Sequence, residues 1–527
     1  MSQHGGDIIA EQLARRGVQF LFTLCGGHIS PILTGAKARG IQIVDVREEV
    51  NAVFAADAVA RMTGIPGVAA VTAGPGVTNT ITAVKNAQMA QSPLVIFGGA
   101  TATILKGRGS LQDIDQMSLM QPATKWSTRV TTLSALGPTV DKAFEVAMEG
   151  VPGPVFIEVP VDLLYPEEVV KEWYINESGV EKMTGLGGKA LELYLKGHLT
   201  RQFHGPHLPV GPVDLSPPQP KLPFTSSEDE LLDRAAEALA RAERPVLVVG
   251  SQALVNRTVD QAGAIADAIN TLGLPTYLGG MARGLLGRHS DVQFRHKRGA
   301  ALKVADVPII AGFPFDFRLG YGRKINQRGT LVAANLSGSD LTKNRRPDIG
   351  VKMHPGDFIE ELARRVGRTG ARDDWFAQLQ EREQARDEEI AGKAADTSGE
   401  LVSPLKFFLR MEELMSDDAV LVVDGGDFVA TGAYILRPRG PLSWLDPGVF
   451  GTLGVGGGFA TGAALVRPHS EVWLIWGDGS SAYSLAEFDS YVRHGLAPIA
   501  VIGTDASWAQ IARDQIAVLG DAVGTEL

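Results

Sequence analysis

The chain has 527 residues, 44% hydrophobic and 21% charged, with a formal net charge of −10. That length supports about three domains of ordinary size, each burying its own core. The acidic balance argues against a nucleic-acid partner, which would need clustered Lys and Arg. No basic start leads into an apolar stretch and no apolar run reaches about 18 residues, so no membrane partner is expected and the default is cytoplasmic. The single cysteine, Cys25, cannot form an intrachain disulfide. After the apolar run Phe20–Leu24 it is expected to be a buried structural thiol.

Apolar, β-branched runs at 41–46, 68–73, 94–99 and 155–159 are bounded by Gly or Pro, with Ala-rich helical stretches such as 49–61 and 79–90 between them. This alternation predicts βαβ units and a mainly parallel sheet in a first domain, 1–177. The period fails over 178–228, where 204–212 and 216–223 are Pro-rich, so this stretch reads as a linker. A second α/β domain is expected over 229–370, with strands at 246–249 and 307–311, followed by a solvated connecting helix within 371–400. A third, 401–527, carries strands at 420–423, 472–475 and 499–502. The fold class is therefore α/β, with three doubly wound parallel-sheet domains.

The strongest local signal is Trp476-Gly477-Asp478-Gly479-Ser480, directly after the strand at 472–475. Glycines allow a tight turn and close approach to a phosphate, and a following helix would direct backbone amides at that anion. Asp478 offers a hard oxygen at the carboxyl end of a strand, where open α/β sheets bind ligands. The neighbouring run Gly503-Thr504-Asp505-Ala506-Ser507 ends a second strand, which puts Asp505 at the same sheet edge. Two such carboxylates could hold Mg²⁺, and through it a diphosphate.

These motifs resemble the thiamine-diphosphate signature, with Asp505 on the position of its second Asn and Thr504 on the first. The resemblance implies Asp478, Asp505 and the Ser507 carbonyl as metal contacts, with Gly477, Gly479 and Ser480 beside the cofactor. Val46-Arg47-Glu48-Glu49-Val50 resembles the family's Arg-His-Glu segment, with Glu48 in place of His. Glu49 is thereby implied as the acid that hydrogen-bonds a pyrimidine nitrogen and switches the cofactor on. A desolvated carboxyl suits that work. Gly74-Pro75-Gly76, followed by Asn79, matches the turn that packs against the pyrimidine. Gly451-Thr452-Leu453-Gly454 resembles the loop whose apolar wedge, here Leu453, bends the cofactor. Asp424, Gly425, Gly426 and Asp427, at another strand end, are implied near the diphosphate.

Over its whole length the chain is similar to the acetolactate synthase-like superfamily, and most of all to its 2-hydroxyacyl-CoA lyase branch. Gly109-Ser110-Leu111-Gln112-Asp113-Ile114-Asp115-Gln116-Met117 resembles the active-site loop of the acyl-CoA enzymes, with Gln112 facing the reacting centre. The runs 26–31, 85–93 and 444–448 carry the lyase likeness. The implied reaction splits a 2-hydroxyacyl-CoA into formyl-CoA and an aldehyde or ketone. Acetolactate synthase and an oxalyl-CoA decarboxylase-like enzyme are the alternatives. His28 is a candidate acid or base, and Glu487 could reach the same cleft. Arg283, Arg288 and Arg298 belong to a basic cluster that could face the anionic CoA, and ADP or CoA is a possible ligand of the central domain. The family builds each site from two subunits, which implies a homodimer or homotetramer. Its members also run on beyond the residue matching Leu527, so part of the C-terminal domain is expected to be missing.

Overall fold

The computed structural model describes residues 4–180, 183, 185–204, 225–370, 372–396, 398–399 and 401–527. The chain divides into two compact units. The first gathers Met1–Ala60, Ile65–Ser216 and Ala486–Gly495, and the second Arg61–Gly64, Pro217–Leu485 and Leu496–Leu527.

The first unit is built on one parallel sheet. Its strands are β1 (Phe20–Leu24), β2 (Gln42–Asp45), β3 (Gly67–Val71), β4 (Leu94–Ala100), β5 (Trp126–Arg129) and β6 (Pro154–Pro160), in the order β2-β1-β3-β4-β6-β5. Strands β3, β4 and β6 are buried along their whole length. Helices on both faces of a parallel sheet demand such unbroken apolar strands. The chain winds outward from β1 to β2, then returns across β1 to β3. The point of reversal therefore lies between β1 and β3, where doubly wound sheets open a ligand crevice at their carboxyl ends. The turns leaving those two strands carry His28 and Gly74-Pro75-Gly76.

The second unit holds two further parallel sheets. One contains β7 (Pro245–Val249), β8 (Thr276–Leu278), β9 (Gln293–Phe294), β10 (Val307–Ala311), β11 (Val332–Ala334) and β12 (Ile349–Val351), ordered β12-β11-β10-β7-β8-β9. The other contains β13 (Val420–Asp424), β14 (Trp444–Leu445), β15 (Val472–Gly477) and β16 (Ile499–Gly503), ordered β14-β13-β15-β16. Its reversal falls between β13 and β15, and Gly425 and Asp478 follow those strands directly.

Three local expectations change. Part of the expected linker is helical: Leu186–Phe203 forms a helix that buries Leu195, Leu199 and Gln202. The Pro-rich run 216–223, and all of 204–212 but His204, lie outside the described residues. The charged helix Asp373–Ala395 is not wholly solvated, since it buries Trp375 and Leu379, and the Trp375 indole donates to the Pro245 carbonyl at 3.0 Å. Cys25 is exposed, because it sits one residue beyond the buried strand β1, in the turn rather than the core. No helix among the described residues is long and apolar enough to cross a membrane.

Candidate active site

In the second unit, a cavity of about 260 Å³ opens at the carboxyl ends of β13, β15 and β16. Gly425, Gly426 and Asp427 line it from β13, and Gly477, Asp478, Gly479 and Ser480 from β15. Gly451 and Leu453 enter from the loop after β14, and Asp505, Ser507 and Trp508 from the turn after β16. Backbone conformation makes this shape. Gly425 has φ +61°, and a Cβ there would stand 2.1 Å from the Leu453 Cδ2. A Cβ on Gly479 would stand 2.4 Å from the Trp508 ring. The site is a cradle that only glycine leaves open.

Asp478 ties the turns together. Its Oδ2 accepts from the Asp505 and Ala506 amides at 3.0 and 2.8 Å, and its Oδ1 from Gly479 N at 2.9 Å. The Ser480 hydroxyl is within hydrogen-bond reach of the Asp424 carbonyl (2.6 Å) and the Gly477 carbonyl (3.0 Å). Ser507 N donates to the Asp505 Oδ1 at 3.1 Å, and its hydroxyl donates to the Thr525 carbonyl.

In the first unit, Glu49 opens the helix Glu49–Thr63 and is only 7% exposed. Its Oε2 accepts from the Asn79 side-chain amide at 3.0 Å, and its Oε1 would lie 3.5 Å from a Cβ on Gly76. The Glu49 carboxyl, Asn79 and the Gly74-Pro75-Gly76 turn thus converge. Gln112, at φ +63°, rests on the same turn, since a Cβ on Gly74 would meet its carbonyl at 2.9 Å. His28 is half-buried, its Nδ1 3.4 Å from the Thr72 hydroxyl. Burial holds its imidazole below the ordinary histidine value, which favours the neutral ring.

Glu487 is fully buried. Its Oε1 accepts from Arg47 N at 2.9 Å and Asn51 Nδ2 at 3.0 Å, and its Oε2 from the Ser490 hydroxyl at 2.6 Å. Burial lifts its carboxyl above the usual carboxylate range, against the pull of those donors. Its place is behind the start of the Glu49 helix, holding the backbone from which Glu49 projects. Burial also raises Glu48, helped by repulsion from Glu49 and Glu487.

Comparison with known proteins agrees with this geometry. Three family models match: the N-terminal TPP binding domain of the thiamine pyrophosphate enzymes over residues 3–119, their central domain over 232–362 and their C-terminal TPP binding domain over 424–525. The chain is 48% identical to 2-hydroxyacyl-CoA lyase 2 of Danio rerio, covering all of this chain and 84% of that protein. It is 46% identical to 2-hydroxyacyl-CoA lyase 2 of Homo sapiens, covering all of this chain and 82% of that one. The acetolactate synthase large subunit IlvG of Mycobacterium tuberculosis is 32% identical, again over the whole chain and 88% of its own length. The chain belongs to the thiamine pyrophosphate enzyme family.

The residues present fit the family's cofactor. The second unit supplies a glycine cradle with carboxylate oxygens, and the first a buried carboxyl beside a Gly-Pro-Gly turn. No group of three or more His, Cys, Asp or Glu side chains gathers as a metal site among the described residues. Mg²⁺ does not need one, because it takes one or two carboxylates and completes its shell with phosphate and water.

Each of the three arginines offered for CoA has a partner within the protein. Arg283 donates to the Ala433 carbonyl and lies 4.9 Å over the Trp444 ring. Arg288 pairs with Asp417 at 3.0 Å, and Arg298 donates to the Arg318 carbonyl at 2.8 Å. Two motif residues to which no separate role was given also shape the two units' candidate sites. Gln116 receives the Gly74 amide at 3.1 Å and donates to the Gly99 carbonyl at 2.7 Å. Asp424, fully buried, accepts from Gly454 N at 3.0 Å and Gly456 N at 2.8 Å, fixing the loop that bears Leu453. The sequence places it in the Asp424-Gly425-Gly426-Asp427 run, but does not show its bonds to Gly454 and Gly456.

Proposed function

We propose that this chain is a thiamine-diphosphate-dependent lyase that cleaves a 2-hydroxyacyl-CoA into formyl-CoA and an aldehyde or ketone. The observation that carries the reading is Glu49, buried against Asn79 and Gly76 in a chain that parallels 2-hydroxyacyl-CoA lyase 2 along its whole length. Thiamine diphosphate, when bound, supplies a nucleophilic carbon and a sink for the electron pair of the broken carbon–carbon bond. Glu49 holds the proton that the pyrimidine ring nitrogen needs. Asp478, Asp505 and the Ser507 carbonyl would hold Mg²⁺, which would in turn hold the diphosphate, and Leu453 would pack against the cofactor. Neutral His28 takes the proton of the substrate hydroxyl. The bond to the thioester carbonyl then breaks, the hydroxyl carbon leaves as the aldehyde or ketone, and a proton replaces it on the formyl carbon. Gln112 orients the thioester. We place the two halves of each site on different subunits of a homo-oligomer.

The test is to supply the purified protein with thiamine diphosphate and Mg²⁺, then offer 2-hydroxyacyl-CoA thioesters and, separately, pyruvate. Steady release of formyl-CoA with no acetolactate is expected. Acetolactate from pyruvate with no thioester cleavage overturns the reading in favour of a synthase.

A further inference from the structure

The helices Glu167–Ser178 and Leu186–Phe203 carry no cofactor motif, yet they close on a buried polar knot. At its centre is Asp162, fully buried just after β6. Its Oδ2 accepts from the Thr103 amide at 3.0 Å, the Thr103 hydroxyl at 2.6 Å and the Gln202 amide at 2.7 Å, and also from the Tyr174 hydroxyl. Gln202 also donates to the Thr103 hydroxyl oxygen at 2.8 Å, and the His198 Nε2 lies 2.9 Å from it. Around the knot, Ala102, Val170, Tyr174, Leu195 and Leu199 form a small apolar cluster against which Ile104 and Leu105 pack. One carboxylate oxygen with this many donors in an apolar setting is costly to disturb.

Thr103 is the foot of the loop that carries Gln112. Its far end is pinned by Gln116, which bridges Gly74 N and Gly99 O. Gly99 in turn packs on His28, since a Cβ there would stand 2.6 Å from the His28 Cβ. The Tyr165 hydroxyl, three residues after Asp162, donates to the Gly27 carbonyl at 3.0 Å, next to His28. One short segment therefore grips the roots of both turns.

We propose that Asp162, Tyr165 and the helices Glu167–Ser178 and Leu186–Phe203 form a positioning clamp in which Asp162 sets the Gln112 loop through Thr103 and Tyr165 sets the His28 turn. None of the clamp's hydrogen bonds among the described residues reaches Glu49. The clamp acts on the reacting end of the substrate and leaves cofactor binding alone. This rests on the lyase reading for the roles of Gln112 and His28.

The test compares Thr103→Val, which keeps the shape and removes the hydroxyl, with Thr103→Ser, which keeps the hydroxyl. Three quantities are measured: kcat for thioester cleavage, the Kd of thiamine diphosphate, and hydrogen exchange across residues 103–117. Thr103→Val is expected to lower kcat about tenfold, as small misplacements of catalytic groups do. Its cofactor Kd stays within about twofold, its loop exchanges faster, and Thr103→Ser restores all three toward wild type. Full kcat in Thr103→Val, or kcat and cofactor affinity lost in parallel, overturns the clamp. If wild type cleaves no thioester, the lyase reading fails by itself. The exchange data then decide: faster exchange in the Val variant alone supports the clamp, and unchanged exchange overturns it.

Discussion

The candidate sites of the two units are made in different ways. The cradle of the second unit is a backbone object, shaped by glycines after β13 and β15, with Asp478 accepting from three amides. The candidate site of the first unit is a side-chain object. Glu49 accepts from Asn79, Gln116 accepts from Gly74 N and Glu487 accepts from Asn51, each across segments far apart in the chain. A backbone cradle tolerates almost no added volume. A side-chain site tolerates volume, and fails when one donor or acceptor is lost.

The largest effect is expected where a proton must be held. Glu49→Gln keeps shape and the Asn79 contact but cannot relay a proton, so kcat should fall roughly a thousandfold, within the usual range for a lost acid–base group. Binding of thiamine diphosphate, followed by calorimetry, should change little. Glu487→Gln is the sharper control. One carbonyl oxygen remains to accept from Arg47 N and Asn51, so kcat should drop by about threefold to tenfold. A loss as deep as that of Glu49→Gln would promote Glu487 from positioning residue to catalytic residue.

Gly425→Ala tests the site of the second unit. An alanine at φ +61° is strained by roughly 1–2 kcal/mol, and its Cβ must also displace Leu453 from 2.1 Å. Together these correspond to about a tenfold to hundredfold loss of cofactor affinity, with kcat at saturating cofactor far less affected. Titration of the apo-protein with thiamine diphosphate in Mg²⁺ reads this directly. An unchanged Kd would mean that the cradle is not where the diphosphate sits.

This contrast explains how much could be read from the sequence. The glycine turns, Asp478, Asp505 and Leu453 follow strand ends in fixed local patterns, so one segment at a time reveals them. The partners of Asp424, and Asp162 altogether, could not be read that way. Asp424 matters through Gly454 and Gly456, and Asp162 through Thr103 and Gln202, partners that only the folded sheets bring near. The helix Leu186–Phe203 was hidden for a related reason. Its Gly-containing sequence carries a weak apolar period, and its order comes from the cluster that buries Leu195 and Leu199. The arginines of the central domain show the same limit, because a run of cations says nothing about which carbonyls its members will meet in the fold.

A subtler effect belongs to Asp424. Burial raises its carboxyl to about 7, although Gly454 N and Gly456 N favour the ionised form. An unfolded aspartate titrates near about 3.9. The folded state therefore keeps the proton where the unfolded state has lost it. The stability this contributes is complete below about pH 4 and is lost as pH rises through about 7. Asp424→Asn should flatten the melting-temperature profile across that window. A variant whose profile runs parallel to wild type would show that Asp424 does not titrate there.

The smallest effect is expected at Arg298, and it separates structure from substrate binding. Burial lowers its guanidinium, and so do the neighbouring charges of Arg283 and Arg318. The side chain donates to the Arg318 carbonyl and lies 5.7 Å from the Phe313 ring centre. Arg298→Ala loses one hydrogen bond and one cation–π contact, each worth about 1 kcal/mol. It also relieves repulsion among three neighbouring cations, so the net change in stability should stay within about 1 kcal/mol. A group spent on a carbonyl and a ring has little left for a phosphate, so KM for the acyl-CoA should move by less than about twofold. A tenfold rise in KM at unchanged kcat would instead mean that Arg298 leaves the Arg318 carbonyl when the thioester arrives. The central domain would then take part in choosing the substrate.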